Sequence, residues 1–357
     1  MRRPPLLARP HPFPPSMPRR STFVIVLMTL IGSAMDAAPL TAQQNTTTIP
    51  GFTPGAAAAE RALEAQAIAR PQAMRARELS RALSAETHVA GTPAQARTRD
   101  YVIAQMRAMG LETEVRQYDV FLPHPTSVQL WRVSPRSRQL SLAEPAVAGD
   151  ASSRLAQYLT VNGYSGQGDV TADVVYVNYG LIEDYAQLDS LGVSVRGRIA
   201  IARYGRSFRG IKAREAEKHG AIALIIYSDP AGDGYVSGDV YPEGRMRPSF
   251  GVQRGSVQNF DGDPTTPGYP STAGAKRVDP ATAGVPKIPV VPMSYGNAKE
   301  LLAGLRGTDV PAGWQGALAF RYHIGPGPVK ARVVVKDDRA TKALKPIHDT
   351  FGMIRGS

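Results

Sequence analysis

Histidine stands at positions 11, 88, 124, 219, 323 and 348, and no two of these lie four residues apart or in a His-Glu-x-x-His arrangement. The spacing that places two imidazoles on one helical face for a zinc ion is therefore missing from the sequence. Cysteine is absent, which removes disulfides, thiolate ligands and a catalytic thiol. Any metal would have to be held by His, Asp or Glu. His88 precedes a capped helix rather than neighbouring carboxylates and reads as structural, and His348-Asp349 are adjacent side chains that rarely face one ion. Gly205-Arg206-Ser207-Phe208-Arg209-Gly210 matches neither GxGxxG nor a P-loop, so it offers no nucleotide site. Arg209 carries a guanidinium fork suited to planar anions, but taken alone it reads as a solvated side chain on the first turn of a helix.

The elements that must position these residues follow from periodicity and punctuation. Residues 57–83 are rich in helix formers, and Pro71 marks a break within them. Thr92, Pro93 and Gln95 supply an N-cap, a first helical position and a capping box. Val102, Ile103, Met106 and Met109 then recur at helical spacing up to the stop at Gly110, and Val115, Tyr118 and Val120 suit a strand. A helix-strand unit of this kind needs a sheet and further layers, yet the chain does not repeat it. Between about 122 and 330 the texture changes to short strands and turns around a βαβ-like passage: a strand over Arg196 to Tyr204, a helix over 210–219, a strand over Ala221 to Tyr227 and a turn at Asp229-Pro230. Residues 228–287 are dense in Gly, Pro, Asp and Ser, and Tyr235, Tyr241, Phe250, Phe260 and Tyr269 predict an ordered surface excursion. Strands are expected near 288–291, 317–322 and Ala331 to Val335, a helix near 294–305, and the start of another strand at Thr350 to Arg355. The class is α/β.

The 357 residues allow two domains, and a hydrophobic content of 43% fits globular structure. Met1 to Arg20 are rich in Pro and Arg, and an apolar run from Phe23 to Ile31 passes into small residues through Ala42. This order is that of a secretory signal peptide over residues 1–42, with Met17 as a second candidate start and cleavage at Ala38 or Ala42. The run falls short of the roughly 20 apolar residues that span a bilayer, so the expectation is export to a periplasmic or extracellular location without a stable membrane span. The formal charge is +12, and removing residues 1–42 takes away five Arg and one Asp, leaving +8. The remaining basic residues are scattered, without the dense blocks or aromatic interleaving of a nucleic-acid surface.

Two separated regions make the chain resemble the glutamate carboxypeptidase II branch of the M28 zinc peptidases. The first is His88-Val89-Ala90-Gly91-Thr92 with its helix, Leu111 and Tyr118-Asp119-Val120. The second is Ile201-Ala202-Arg203-Tyr204-Gly205, Phe208-Arg209-Gly210, Ile226-Tyr227-Ser228-Asp229-Pro230, Gly251-Val252-Gln253-Arg254-Gly255, Asp263-Pro264-Thr265-Thr266-Pro267-Gly268-Tyr269-Pro270 and Ile288-Pro289-Val290. Six blocks in order resemble the protease-associated (PA) insertion of that branch, and the likeness covers roughly residues 75–357. It implies a PA domain over 122–330, a β-rich α/β insert, set between an N-terminal peptidase segment at 43–121 and a return into an incomplete α/β peptidase domain at 331–357.

The resemblance also implies roles. Arg209, with Phe208 and Ser256, would bind a peptide substrate, Arg209 taking its carboxylate. The family has Asn where Ser256 stands, a departure from a glutamate pocket. Thr266 and Tyr269 match positions that help hold a structural calcium, whose carboxylate ligands come from further along the family's peptidase domain. Zinc is implied by the family, but its ligands have no counterpart in this sequence. The expectation is the N-terminal, truncated part of an exported M28-like peptidase, inactive by itself, with a peptide substrate of acidic character and homodimerisation only with the missing region. A non-catalytic PA-domain binding or regulatory protein is the alternative, and a peptidase completed in trans by a second polypeptide is a third reading.

Overall fold

The structure is a computed structural model that describes residues 48–356, and the expected leader lies outside the described residues. The chain divides into two compact units at Pro71. The first contains helix α1 (Pro54–Ala69), capped by Thr53, whose Oγ1 accepts from the Ala56 N–H at 3.3 Å. The break expected at Pro71 separates it from α2 (Ala73–Leu83), in the second unit.

The second unit opens on α2 and α3 (Pro93–Ala108). Thr92 caps α3, its Oγ1 accepting from the Gln95 N–H at 3.3 Å, and Pro93 occupies the first turn. Strand β1 (Glu112–Phe121) follows and pairs antiparallel with β11 (Leu344–Met353) in a two-stranded ribbon. Helix α3 lies on this ribbon so closely that a Cβ on Gly352 would sit 2.8 Å from Leu111 and 3.2 Å from the Met106 sulfur. The helical stripe is covered only in part: Ile103 is buried, whereas Met109 is 58% exposed.

A seven-stranded sheet forms the centre of the unit. Its strands are β2 (Pro125–Ser134), β3 (Arg138–Leu140), β5 (Gly168–Tyr176), β6 (Ile199–Arg203), β7 (Ala223–Tyr227), β9 (Val290–Met293) and β10 (Lys330–Asp337), in the order β3-β2-β10-β5-β6-β7-β9. Two very short strands, β4 (Asn162–Gly163) and β8 (Gly255–Ser256), pair parallel outside it. The β3-β2-β10-β5 half is antiparallel and the β5-β6-β7-β9 half parallel. Parallel strands are buried on both faces, and Ile199, Ala200, Ile201 and Ala202 of β6 and Ala223, Leu224 and Ile225 of β7 are fully buried. Helix α4 (Ile182–Ser190) contributes Tyr185 and Leu188 to this core, α5 (Arg209–Lys218) Ala213 and Ala216, and α7 (Tyr295–Leu302) Ala298, Leu301 and Leu302. Two single-turn helices, α6 (Pro230–Asp233) and α8 (Arg339–Lys342), follow β7 and β10.

Two sequence expectations need correction. Ala331 to Val335, read as the return toward the framing domain, instead lie in the middle of the large sheet, with Val333 opposite both Leu130 of β2 and Val170 of β5. Residues 317–322 do not form a strand. Their apolar side chains pack as irregular chain, Phe320 stacking on Tyr322 and Tyr322 meeting Tyr176 edge-on at 5.5 Å. Residues 228–287 form the irregular excursion expected of them, its regular elements being α6, β8 and one 3-10 turn at Pro280–Thr282.

Candidate functional site

Three loops leave the carboxyl ends of β5, β6 and β7, the side of an open parallel sheet where α/β folds gather their ligands. The loop after β6 turns sharply at Gly205 and Arg206, both at positive φ (110° and 60°), and delivers Phe208 and Arg209 to the start of α5. Arg209 is half-buried. Its Nη2 donates to Gln253 Oε1 at 2.8 Å and to the Arg254 carbonyl at 3.0 Å, and its guanidinium stands 4.6 Å from the centroid of the Tyr204 ring. Its Nε is buried and has no partner. Phe208, one residue earlier, is 84% exposed.

Two glycines explain why the Phe-Arg-Gly block and the Gln-Arg-Gly-Ser block meet. A Cβ on Gly255 would fall 2.3 Å from Arg209 Nη1, and one on Gly210 would fall 2.1 Å from the Gln258 carbonyl oxygen. The first glycine leaves room for the guanidinium and the second for the backbone of the excursion. Asn259 fastens the contact, its Nδ2 donating to the Gly210 carbonyl at 2.8 Å. Behind the block, Arg254 donates to Glu144 Oε2 at 2.6 Å and to Thr160 Oγ1 at 2.9 Å, while Glu144 Oε1 accepts the Val252 N–H at 2.7 Å. Ser256 ends the block in β8, exposed and paired with Gly163 of β4. Arg209 and the segment carrying Ser256 are thus brought together, with Phe208 presented to solvent beside them.

Thr266 and Tyr269 lie in a second cluster, centred on Asp263. That carboxylate accepts from the Phe121 N–H at 3.0 Å, the Thr265 N–H and hydroxyl at 2.7 Å each, the Ser271 hydroxyl at 2.8 Å and Arg277 Nη1 at 3.0 Å. Burial alone would raise its pKa, but these hydrogen bonds outweigh burial and hold the group below its ordinary value. Thr266 Oγ1 is engaged with Ser271 Oγ at 2.6 Å, and the Tyr269 hydroxyl donates to the Lys276 carbonyl at 2.5 Å. Calcium takes six to eight oxygens with several carboxylates. The one carboxylate of this cluster already carries five hydrogen bonds, one of them from a guanidinium, so the residues present do not by themselves make a calcium cage. Zinc fares no better: among the described residues no group of three or more His, Asp or Glu side chains could hold a metal ion, and no catalytic step through zinc follows from them. His88 makes one local contact, Nδ1 to the Glu86 carbonyl at 3.0 Å.

Sequence reasoning did not single out Arg203, Ser228 and Lys212. Arg203 and Ser228 border a cavity of about 440 Å³ at the carboxyl ends of β6 and β7, together with Tyr179, Tyr204 and Gln253. Lys212 is fully buried, its Nζ donating to the Tyr179 carbonyl at 2.6 Å and the Gly205 carbonyl at 2.8 Å, and burial pushes its pKa down to about 8. It ties together the loops that follow β5 and β6. Arg203 and Ser228 stand in two of the blocks that carry the resemblance, Ile201 to Gly205 and Ile226 to Pro230, but neither is assigned a role there.

Comparison with known proteins matches residues 170–260 to the PA domain family. A glutamate carboxypeptidase 2 homolog of Caenorhabditis briggsae is 35% identical over 297 residues, 78% of this chain and 38% of that protein. Aminopeptidase NAALADL1 of Mus musculus is 33% identical over 311 residues, 80% of this chain and 41% of that protein. Among solved structures, a zinc aminopeptidase from Bacillus subtilis aligns with 77% of this chain and 44% of that chain at 17% identity and a TM-score of 0.41. The chain spans about two fifths of the length of the curated relatives it matches.

Proposed function

We propose that, over the stretch it shares with those relatives, the chain belongs to the PA-domain-bearing, glutamate carboxypeptidase-like branch of the M28 peptidases, and that it recognises peptides through the Arg209 surface. The observation that carries this reading is Arg209 itself. The guanidinium is held in place by Gln253, the Arg254 carbonyl and the Tyr204 ring, yet keeps a buried Nε–H with no partner. A desolvated, pre-aimed guanidinium binds a carboxylate better than a mobile surface arginine does. In this proposal Phe208 offers an exposed ring to the neighbouring peptide side chain, and Ser256 offers a hydroxyl in place of an amide. Peptide hydrolysis and zinc use are proposals for the protein at the full length of its relatives, and the shared stretch supplies recognition and gating. A calcium site at Thr266 and Tyr269 would likewise need carboxylates from beyond the cluster.

The test is direct. Binding of acetyl-Ala-Ala-Ala with a free terminal carboxylate is measured calorimetrically against the same peptide as its amide, for the whole chain and for Arg209→Met. Binding tenfold weaker for the amide and for the variant is expected, about 1.4 kcal/mol each. Equal binding by all would remove Arg209 from the site.

A second reading, a PA-domain module that binds a partner without catalysis, is favoured by the self-contained core between β2 and β10. It uses the same surface and is separated from the first by whether bound peptide is ever cleaved. We also propose export. Among the described residues no helix is long and apolar enough to cross a membrane, and N-terminal sequencing of protein recovered from outside the cytoplasm would find Ala38 or Ala42 just before the mature terminus if the leader is removed.

A further inference from the structure

A second cavity, of about 580 Å³, opens between chain segments that Arg209 does not border. Its size falls within the roughly 300–1,000 Å³ of small-molecule sites. The segments around it are fixed by their own hydrogen bonds. Between residues 144 and 158, the Glu144 N–H donates to Gln157 Oε1 at 3.1 Å, Gln157 Nε2 donates back to the Glu144 carbonyl at 2.5 Å, and Ser153 Oγ accepts the Val147 N–H at 2.8 Å. Residues 239–246 close on themselves, the Tyr241 N–H donating to the Met246 carbonyl at 2.9 Å and the Met246 N–H to the Asp239 carbonyl at 3.0 Å. Thr87, which also borders the cavity, donates from Oγ1 to the Ala156 carbonyl at 3.2 Å. A concavity whose walls are held by protein contacts alone costs a ligand little ordering.

The lining defines the ligand chemistry. Leu155 and Tyr241, 48% and 44% exposed, border the cavity with the half-buried Val147, Met246, Pro248 and Phe250. Apolar surface gathered in a concavity and left open to water is where an apolar ligand gains most. Five charged side chains also border it, and four of them are spent on each other: Arg254 pairs with Glu144 at 2.6 Å and Arg247 with Asp233 at 2.8 Å. The fifth, Arg245, is exposed and makes no ion pair among the described residues. Asp239 and Glu243, on the same closed loop, do not border the cavity. The two pairs cancel, so the lining presents an apolar surface with one uncompensated positive charge. A neutral apolar ligand leaves that charge unused, a cation is repelled by it, and a dianion lacks a second cation to meet. The complement is an apolar body carrying a single negative charge.

We propose that this cavity binds a medium-chain aliphatic carboxylate, its chain against Leu155, Tyr241, Met246 and Phe250 and its carboxylate paired with Arg245. The site is separate from the Arg209 surface and does not depend on peptide recognition there. The two adjoin through one segment, since Arg254 borders the cavity while its carbonyl accepts from Arg209 Nη2.

The test uses the whole chain and three probes titrated calorimetrically: octanoate, octanol, which keeps the chain without the charge, and acetate, which keeps the charge without the chain. Octanoate is expected to bind at least tenfold more tightly than either control. Arg245→Gln and Leu155→Asp change exposed side chains, so their melting temperatures should match that of the wild type, and each should weaken octanoate at least tenfold. Arg209→Met should bind octanoate as the wild type does. Octanol binding as tightly as octanoate would overturn the charge assignment, and acetate binding as tightly would overturn the apolar site. Undiminished octanoate binding by folded Arg245→Gln and Leu155→Asp, or no octanoate binding by the wild type, would overturn the proposal outright. Loss of octanoate in Arg209→Met, or its displacement by acetyl-Ala-Ala-Ala, would place the ligand on the Arg209 surface instead. Failure of acetyl-Ala-Ala-Ala to bind, with octanoate binding intact, would count against the peptide reading alone.

Discussion

The Asp263 cluster and the Arg203–Arg209 cluster draw on the same irregular excursion, and they are finished in opposite ways. Asp263 spends its carboxylate on five protein donors, and Arg277, besides pairing with it, donates to Thr265 Oγ1 at 2.7 Å and to the Asp119 carbonyl of β1. At the carboxyl ends of the parallel strands, Arg203 Nε, Arg209 Nε and Ser228 Oγ are buried with nothing to bond. A saturated buried network fixes geometry, whereas an unsaturated one leaves desolvated donors whose hydrogen-bonding capacity the protein does not use. The contrast sets a saturated anchor of the excursion, around Asp263, against an unsaturated cluster where the excursion meets the ends of β6 and β7.

The largest effect expected from this contrast is on stability. Asp263→Ala strands the Arg277 charge and four further donors, and breaking a buried ion pair from one side costs about 3–5 kcal/mol; urea denaturation would measure it. Acid should act in the same direction. The folded-state pKa of Asp263 lies below its ordinary 3.8, so its stabilisation is complete above that pH and fades as pH falls through the folded value. The stability gap between wild type and Asp263→Ala should therefore narrow only below about pH 4. A gap that stays constant to pH 2 would show that the carboxylate is not the anchor. Ser228→Ala, the matching deletion in the open cluster, should cost nothing in stability.

A smaller effect is expected where the two motif blocks touch. Gly210→Ala drives a methyl against the Gln258 carbonyl oxygen, 2.1 Å from the ideal Cβ position, and forced shifts of this kind cost about 1–3 kcal/mol. Because the collision separates α5 from the excursion, the variant should also lose binding of acetyl-Ala-Ala-Ala. Loss of stability with full retention of binding would show that Arg209 does not depend on the excursion for its placement.

Much of this architecture was legible in the sequence, and what was missed has identifiable causes. Thr92 and Pro93 announced α3, and the apolar runs at Ile199 to Ala202 and Ala223 to Tyr227 announced two buried strands, because caps and hydrophobic periodicity are local. Ala331 to Val335 were equally legible as a strand, but not its neighbours, since pairing with β2 and β5 is fixed by residues some 200 and 160 positions away. Residues 317–322 imitate a strand because Leu318, Phe320 and Tyr322 alternate, although what they satisfy is packing around Tyr176. Arg209 was found through its block. Arg203 and Ser228 also stood in such blocks, but their burial was not legible, because a polar side chain that will be buried has the same letter as one that will be solvated.

The finest test of the contrast is Lys212, which belongs to the open cluster and titrates. It is buried beneath the Tyr179 and Gly205 carbonyls, and burial lowers its pKa from 10.5 to about 8. A folded-state pKa below the unfolded one means that between about pH 8 and 10.5 the unfolded chain binds more protons, so stability rises with pH across that window. Lys212→Met keeps the aliphatic stem and cannot titrate, so the wild-type stability measured against it should improve from pH 8 to 10.5. Asp263 shows the opposite kind of group, one whose charged form the fold prefers. A wild-type advantage that is flat across the alkaline window would mean that the two carbonyls fully compensate the buried ammonium. The loops after β5 and β6 would then be locked as firmly as the Asp263 anchor, and the openness of this cluster would be confined to Arg203, Arg209 and Ser228.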